Sequence, residues 1–164
     1  AWQLPETHPN YRGPRGRTQS SGYGGTTLYN PIRREVLIYG GMTQYGGNDP
    51  LGSQATATLD AQGRFQRHGA SGLDYTAGST RLTYHPRTGE YILLKNNATR
   101  MYIGDPPRGK PWRILFDWSE VPPARRPFDK YENWHRVTPL PGTDVLIWSD
   151  LRRGIILQRL PAGD

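Results

Sequence analysis

The sequence predicts an all-β fold built from three copies of a four-stranded antiparallel unit, each copy about 54 residues long. Three observations support this prediction. The 164 residues include 20 glycines and 15 prolines, which indicates many turns and short elements and suits strands better than helices. Five tryptophans and ten tyrosines are spread along the chain, which disfavours disorder. A motif also returns twice in register, as an internal repeat does.

The repeated motif is a Pro-containing turn followed by an acidic residue and an apolar run. Its first copy is Tyr29-Asn30-Pro31 followed by EVLIY at 35–39, and its second is Tyr84-His85-Pro86 followed by EYILL at 90–94. A looser third copy spans residues 138–143 and is followed by DVLIW at 144–148. The acidic residues that open the apolar runs lie at positions 35, 90 and 144, so the second interval is shorter than the first by a single position.

Each copy of the motif is expected to begin with a β-hairpin. The first strands are expected at residues 26–29, 80–84 and 134–137, and a proline just after them is tolerated because the chain is leaving the ladder there. The second strands, at 36–39, 91–94 and 145–148, are rich in Val, Ile, Leu and aromatic residues. Their nearly continuous apolar runs predict strands that are covered on both faces.

Two further strands complete the first two units, at 55–59 and 64–67 and at 99–103 and 111–116. The third unit has residues 155–160 and no fourth strand after them. Because residues 1–5 (AWQLP) resemble residues 111–115 (PWRIL), we expect residues 2–4 to supply the missing outer strand. The expected domain is therefore single, with units at about 24–70, 78–118 and 132–161, the last completed by residues 1–5.

Residues 29–41 (YNPIRREVLIYGG) resemble the core of the kelch repeat, in which an apolar strand ends in two glycines. The other copies have Lys95-Asn96 and Ser149-Asp150 at the diglycine position. The resemblance implies a β-propeller-like fold of the kelch and galactose-oxidase type, with each unit as a blade. It implies a scaffold and no particular activity.

Three blades are fewer than the four to eight that a closed propeller typically contains. Two copies of the chain are therefore expected to form a six-bladed ring, with each chain contributing half of it. The alternatives are that other protein subunits cap the open blades, or that the sequence is a segment of a longer propeller.

The residues that carry most enzyme chemistry are missing or scattered. The chain has no cysteine, which excludes disulfides, thiolate nucleophiles and the copper site with a Tyr–Cys cross-link that the galactose-oxidase resemblance would otherwise imply. The histidines occur singly and without metal-ligand spacing: His8, His68, His85 and His135. Acid–base hydrolysis needs two carboxylates in one pocket, and no spacing selects such a pair. We therefore expect no cofactor, no metal and no enzymatic activity.

The net charge is +7, and 18 of the 21 basic residues are arginine. A positive net charge supplied mainly by arginine is compatible with nucleic-acid, acidic lipid or acidic protein partners. No Lys/Arg run exceeds two residues, however, which favours solvated arginines on loops over nucleic-acid binding. No apolar run is long enough to predict a transmembrane segment. The lack of cysteine is compatible with the cytosol and with a bacterial periplasm or cell surface.

The longest expected connections, at 6–23, 41–54 and 118–133, would lie on one face of the blades. Long loops on a rigid scaffold commonly carry binding residues, and arginine and aromatic side chains are enriched at protein interfaces. The candidate binding residues for a protein partner or glycan are Arg12, Arg15, Arg17, Tyr45, Asn48, Asp49, Trp118, Arg125, Arg126, Tyr131 and Trp134. Some of the aromatic ones, especially Trp118 and Trp134, are equally expected in the core between blades.

The preferred interpretation is a non-enzymatic binding or assembly module that docks on a protein partner or a larger complex. The first alternative is a carbohydrate-binding module in which aromatic rings stack on sugars. The second is a divergent hydrolase with a carboxylate pocket in its loops.

Overall fold

A computed structural model describes residues 26–40, 55–73, 80–95, 99–122, 125, 136–150 and 154–161. Within these ranges the chain forms strands, a 3-10 helix at Pro106–Arg108 and no α-helix, and Arg125 is also in 3-10 conformation. The strands are β1 Thr26–Asn30, β2 Glu35–Tyr39, β3 Ala55–Asp60, β4 Phe65–Ala70, β5 Thr80–Tyr84, β6 Tyr91–Lys95, β7 Arg100–Asp105, β8 Lys110–Asp117, β9 Arg136–Leu140, β10 Val145–Asp150 and β11 Gly154–Arg159. No helix in the described part of the chain is long and apolar enough to cross a membrane.

The strands form three separate antiparallel sheets, each in sequential order. Sheet 1 contains β1–β4, sheet 2 contains β5–β8, and sheet 3 contains β9–β11. The prediction of an all-β fold with three antiparallel sheets is confirmed. The outer strand expected from residues 2–4 lies outside the described residues.

The first hairpins of the three sheets align at equal intervals along the chain. Each has a four-residue turn that begins at a proline: Pro31, Pro86 or Pro141. The positions that flank these turns pair as Asn30 with Glu35 and Leu140 with Val145, and the His85 N–H donates to the Glu90 carbonyl at 2.7 Å. The third strand begins at Val145 as expected, but Val145 occupies the position of Glu35 and Glu90, so the expectation that Asp144 is equivalent to those two residues is wrong by one position.

The reason for this one-residue difference is the geometry of the third turn. The first two turns place their positive φ at the last turn residue, Arg34 (55°) and Gly89 (70°). The third places it at Gly142 (73°), after Pro141, and its Thr143 N–H donates to the Leu140 carbonyl at 3.2 Å. Proline followed by glycine in this pattern is typical of a type II turn. Asp144 is thus the last turn residue and not the first strand residue.

The sheets pack face to face through two apolar junctions. At the first, Leu37 and Tyr39 of sheet 1 contact Tyr91 and Leu93 of sheet 2, all fully buried. The second junction joins sheet 2 to sheet 3. Its buried residues are Ile92, Leu94, Met101 and Ile103 of sheet 2, Leu146 and Trp148 of sheet 3, and Leu160 just after β11. Alternate residues of β6 thus point into different junctions. The prediction of a strand covered on both faces is confirmed for β6.

Within a single chain, the described residues cover β2 and β10 less completely. Val36 and Ile38 in β2, and Val145 and Ile147 in β10, are only half-buried. Sheets 1 and 3 each have one neighbouring sheet among the described residues, and that sheet covers only the other face of each strand.

Candidate functional site

Two of the predicted binding residues, Trp118 and Arg125, lie in the described part of the chain. Trp118 is half-buried, stacks on Phe116 with ring centroids 5.4 Å apart and packs against the junction of sheets 2 and 3. One face of its ring is therefore used in packing, while Arg125 is exposed. The others lie outside the described residues: Arg12, Arg15, Arg17, Tyr45, Asn48, Asp49, Arg126, Tyr131 and Trp134.

A polar network lies between sheets 1 and 2, at the end of the sheets that carries the four-residue turns. Its centre is Glu35, a buried carboxylate that receives two hydrogen bonds from the Arg108 guanidinium, Nη1 to Oε1 and Nη2 to Oε2, both 2.9 Å long. The Tyr91 hydroxyl donates a third, 2.7 Å long, to Oε1. Paired guanidinium–carboxylate bonds of this kind are strong and geometrically specific.

A second buried carboxylate, Asp105, completes this network. The Arg108 guanidinium lies 3.1 Å from it, and Arg33 of the first turn reaches it from sheet 1, also at 3.1 Å. Two carboxylates and two guanidinium groups thus face one another across the junction. This balance lets the charges be buried without leaving one of them unpaired.

The same contacts control the ionisation of Glu35. Burial alone would raise the pKa of Glu35, but the hydrogen bonds from Arg108 and Tyr91 outweigh burial and hold that pKa below its usual value. Burial, followed by the hydrogen bond to Glu35, raises the pKa of the Tyr91 phenol. Glu35 is therefore a fixed anion near neutral pH, which suits a structural role better than proton transfer.

The other acidic residues that the repeat singled out are also paired. Glu90 lies 3.3 Å from Arg113 and 3.5 Å from Lys110 within sheet 2. Asp144 lies 2.8 Å from Arg87 and so links the turns of sheets 2 and 3. The acidic residue in each repeat is thus paired with basic side chains within or between sheets.

The described histidines also have structural contacts. Nδ1 of the buried His85 accepts from the Arg87 and Thr88 N–H groups at 3.2 and 3.4 Å. The equivalent Asn30 likewise accepts turn N–H groups through Oδ1 and donates through Nδ2 to the Gly89 carbonyl at 2.8 Å. His68 Nε2 lies 2.7 Å from Thr58 Oγ1. Among the residues that the structure describes, no three His, Cys, Asp or Glu side chains are grouped to hold a metal ion.

The strongest candidates for a binding surface are the two sheet faces that no other described sheet covers. On the outer face of sheet 3, Ile155 is 73% exposed, Leu157 68% and Leu140 40%. On the outer face of sheet 1, Tyr29 is exposed, and Val36, Ile38, Leu59 and Phe65 are half-buried beside it. The sequence placed most of these residues in strands, but which faces stay open depends on how the sheets stack.

No family model, no curated protein and no solved structure matches this chain. The resemblance of residues 29–41 to kelch repeats therefore rests on those residues alone. Function is accordingly inferred from the geometry of the chain itself.

Proposed function

We propose that this chain is a non-enzymatic binding and assembly module whose outer sheet faces dock on protein. The observation that carries this proposal is the outer face of sheet 3, where Ile155 and Leu157 lie two residues apart on the same face of β11 and are largely exposed. Contiguous apolar surface of this kind marks protein interaction sites or favours aggregation. The fixed ion pairs described above supply no free acid–base pair that would favour an enzyme instead.

We further propose that the three sheets are blades of a β-propeller-like arrangement. Two features support this. The sheets are stacked face to face with their strands in sequential order. The first strands are neighbours, since β5 contacts both β1 and β9. In a propeller the first strand of each blade lies nearest the central axis, so such neighbours are expected there.

The docking proposal is tested by measuring how exposed the outer faces are. Light scattering and the fluorescence of a hydrophobic dye would compare the unmodified chain with the double variant Ile155→Thr/Leu157→Thr. Threonine keeps the β-propensity of the strand while removing most of its apolar surface. We expect the unmodified chain either to associate or to bind the dye. The double variant should associate less or bind less dye, respectively.

The matched control is Arg159→Thr, which changes an exposed side chain on the same strand and face without removing a large apolar group. It should behave as the unmodified chain does. A compact monomer that binds no dye would contradict the proposal, because both faces would then be covered within one chain.

A further inference from the structure

The two sheet junctions bring together the same positions of the repeat. Leu37 and Tyr39 of sheet 1 occupy the same repeat positions as Ile92 and Leu94 of sheet 2, and each pair packs on the following sheet. We call the surface that carries these pairs the forward face. It packs on Tyr91 and Leu93 of sheet 2, or on Leu146 and Trp148 of sheet 3, which again occupy the same repeat positions. We call that surface the back face.

By the same repeat positions, the outer face of sheet 3 is a forward face that no described sheet covers. The strand registers make Ile147, Ile155 and Leu157 equivalent to Ile92, Met101 and Ile103 of sheet 2. The sheet 2 residues are 0%, 0% and 2% exposed at their junction, whereas Ile155 and Leu157 are 73% and 68% exposed. Sheet 3 thus has the side chains of a covered forward face at positions where no described sheet covers it.

The outer face of sheet 1 is correspondingly an open back face. Val36 and Ile38 are equivalent to Tyr91 and Leu93 of sheet 2, which are fully buried. Val36 and Ile38 are half-buried. The described part of the chain therefore ends in one open forward face and one open back face, which are the two halves of a junction.

The charged positions also match between these two open faces. At the junction of sheets 1 and 2, Glu35 on the forward face receives Arg108, which follows β7 on the other side. On the open forward face, Val145 replaces the glutamate. In sheet 1, Gly63 lies three residues after Asp60 at the end of β3, as Arg108 does after Asp105.

The remaining basic residue of that β3–β4 turn is also occupied, since Arg64 is paired with Asp60 at 2.6 Å. A partner face like that of sheet 2 would bring Arg108 against Val145. Arg108 would then lose both hydrogen bonds to a glutamate and keep Asp105 alone of its two carboxylate partners, which makes its burial more costly. The back face of sheet 1 has Gly63 in place of Arg108, and its exposed Arg67 lies further along the sheet, opposite Ala57. The open forward face of sheet 3 thus fits the back face of sheet 1 better than that of sheet 2.

We propose that two copies of this chain associate head to tail, with the forward face of sheet 3 in each copy on the back face of sheet 1 in the other. This inference rests on the proposed docking function and specifies its partner and register. Two such junctions close the pair into a ring of six sheets, within the four to eight of closed propellers. A head-to-tail contact that closes in this way ends growth, whereas one that does not close forms filaments.

The test uses two variants that place opposite charges on the two faces. Leu157→Asp damages the forward face, and Ile38→Lys damages the back face. In a head-to-tail pair, either variant alone has a charge against an apolar face at both junctions. In an equimolar mixture, a pair made of one copy of each variant has one unmodified junction and one junction where the introduced Asp faces the introduced Lys.

Sedimentation would give the masses of the chains. We expect a mass of twice 18.6 kDa for the unmodified chain at micromolar concentration and 18.6 kDa for each variant alone. The mixture should recover association at least about tenfold over either variant, equivalent to about 1.4 kcal/mol. Leu157→Ile and Ile38→Val, as conservative controls, should still form pairs, and circular dichroism should show that all the variants keep their strands.

Three results would overturn the inference. An unmodified chain that stays monomeric shows that a second copy is not the partner; if that monomer binds the hydrophobic dye, the docking proposal itself survives. Pairing that persists in either charged variant alone shows contact between like faces. Masses that grow beyond two copies with concentration show that the junctions do not close a ring.

Discussion

Glu35 shows how single residues join the sheets of this protein. It lies 73 positions from Arg108 in the sequence, yet both oxygens of its carboxylate accept hydrogen bonds from that guanidinium. The carboxylate is nearly inaccessible to solvent, while Arg108 keeps part of its surface exposed. Removing one partner of a buried pair is costly because the remaining charge has lost its solvation and its contacts.

We expect Glu35→Gln to lower the free energy of unfolding at pH 7 by about 1.5–3 kcal/mol, as for hydrogen bonds to charged groups. The pKa of Glu35 is lowered from 4.5 in the folded chain. The contribution of Glu35 is therefore present above pH 4.5 and is lost as the pH falls through the lower folded-state value. Urea unfolding at pH 7 and pH 3 should show a smaller difference between variant and unmodified chain at pH 3.

The exposed Glu120 provides the matched control for this prediction. Glu120→Gln should leave the free energy of unfolding unchanged at pH 7. A Glu35→Gln chain as stable as the unmodified one at pH 7, or a difference as large at pH 3, would contradict the structural role of Glu35.

At the scale of the elements, the four-residue turns connect the two strands of each hairpin and also contact the neighbouring sheet. Gly89 has a φ of 70°, in the left-handed region that favours glycine. Its surroundings add a second constraint, because a Cβ there would lie 3.0 Å from both Arg33 Nε and Ile32 Cγ2 of the first turn. Arg33 and Asn30 also bind sheet 2, so this contact couples the turn conformation to the sheet junction.

Gly89→Ala is therefore expected to destabilise the chain more than Gly63→Ala, measured by urea unfolding. Gly63 has a similar φ of 76° but nothing within 4 Å of the added Cβ, so its variant reports the backbone cost alone, about 1–2 kcal/mol. Gly89→Ala should lose about 1–3 kcal/mol more, as is usual for overpacking. Equal losses in the two variants would show that the first turn moves away freely.

At the scale of the whole molecule, much of the described positive charge lies beside carboxylates. The basic residues within ion-pair distance of an acidic side chain are Arg33, Arg64, Arg87, Arg100, Lys110, Arg108 and Arg113. The Arg100–Asp117 pair is an exposed example, in which hydrogen bonds from Ser119 and then Arg100 lower the pKa of Asp117 to about 2. Paired arginines release fewer counterions from DNA than free ones would.

We therefore expect only weak, salt-sensitive binding of the chain to double-stranded DNA. Fluorescence anisotropy at physiological salt should give a dissociation constant no tighter than the about 10⁻⁴–10⁻⁶ M of non-specific contacts, and binding should weaken steeply from about 50 to 200 mM salt. Nanomolar binding that persists at the higher salt concentration would contradict this prediction and favour a nucleic-acid partner.

The strands and the repeat follow from local sequence. Turn residues such as Pro86 and Gly142, and β-rich apolar runs such as that of β6, act over a few positions, and their regular spacing made the all-β fold with three sheets predictable. The same short range explains the error at Asp144. An acidic residue before an apolar run looks alike in all three copies, but the type II turn at Pro141–Gly142 shifts its position by one.

Which surfaces meet depends instead on how the sheets stack. Ile103 and Leu157 occupy equivalent positions in similar strands, yet one is 2% and the other 68% exposed, because a sheet covers the first and none of those described covers the second. Likewise, Glu35 and Arg108 become partners only when sheets 1 and 2 stack. Burial and charge pairing depend on contacts between surfaces that are far apart in sequence. The repeat therefore specifies the sheets, whereas the stacking of the sheets decides which faces stay open as candidate binding surfaces.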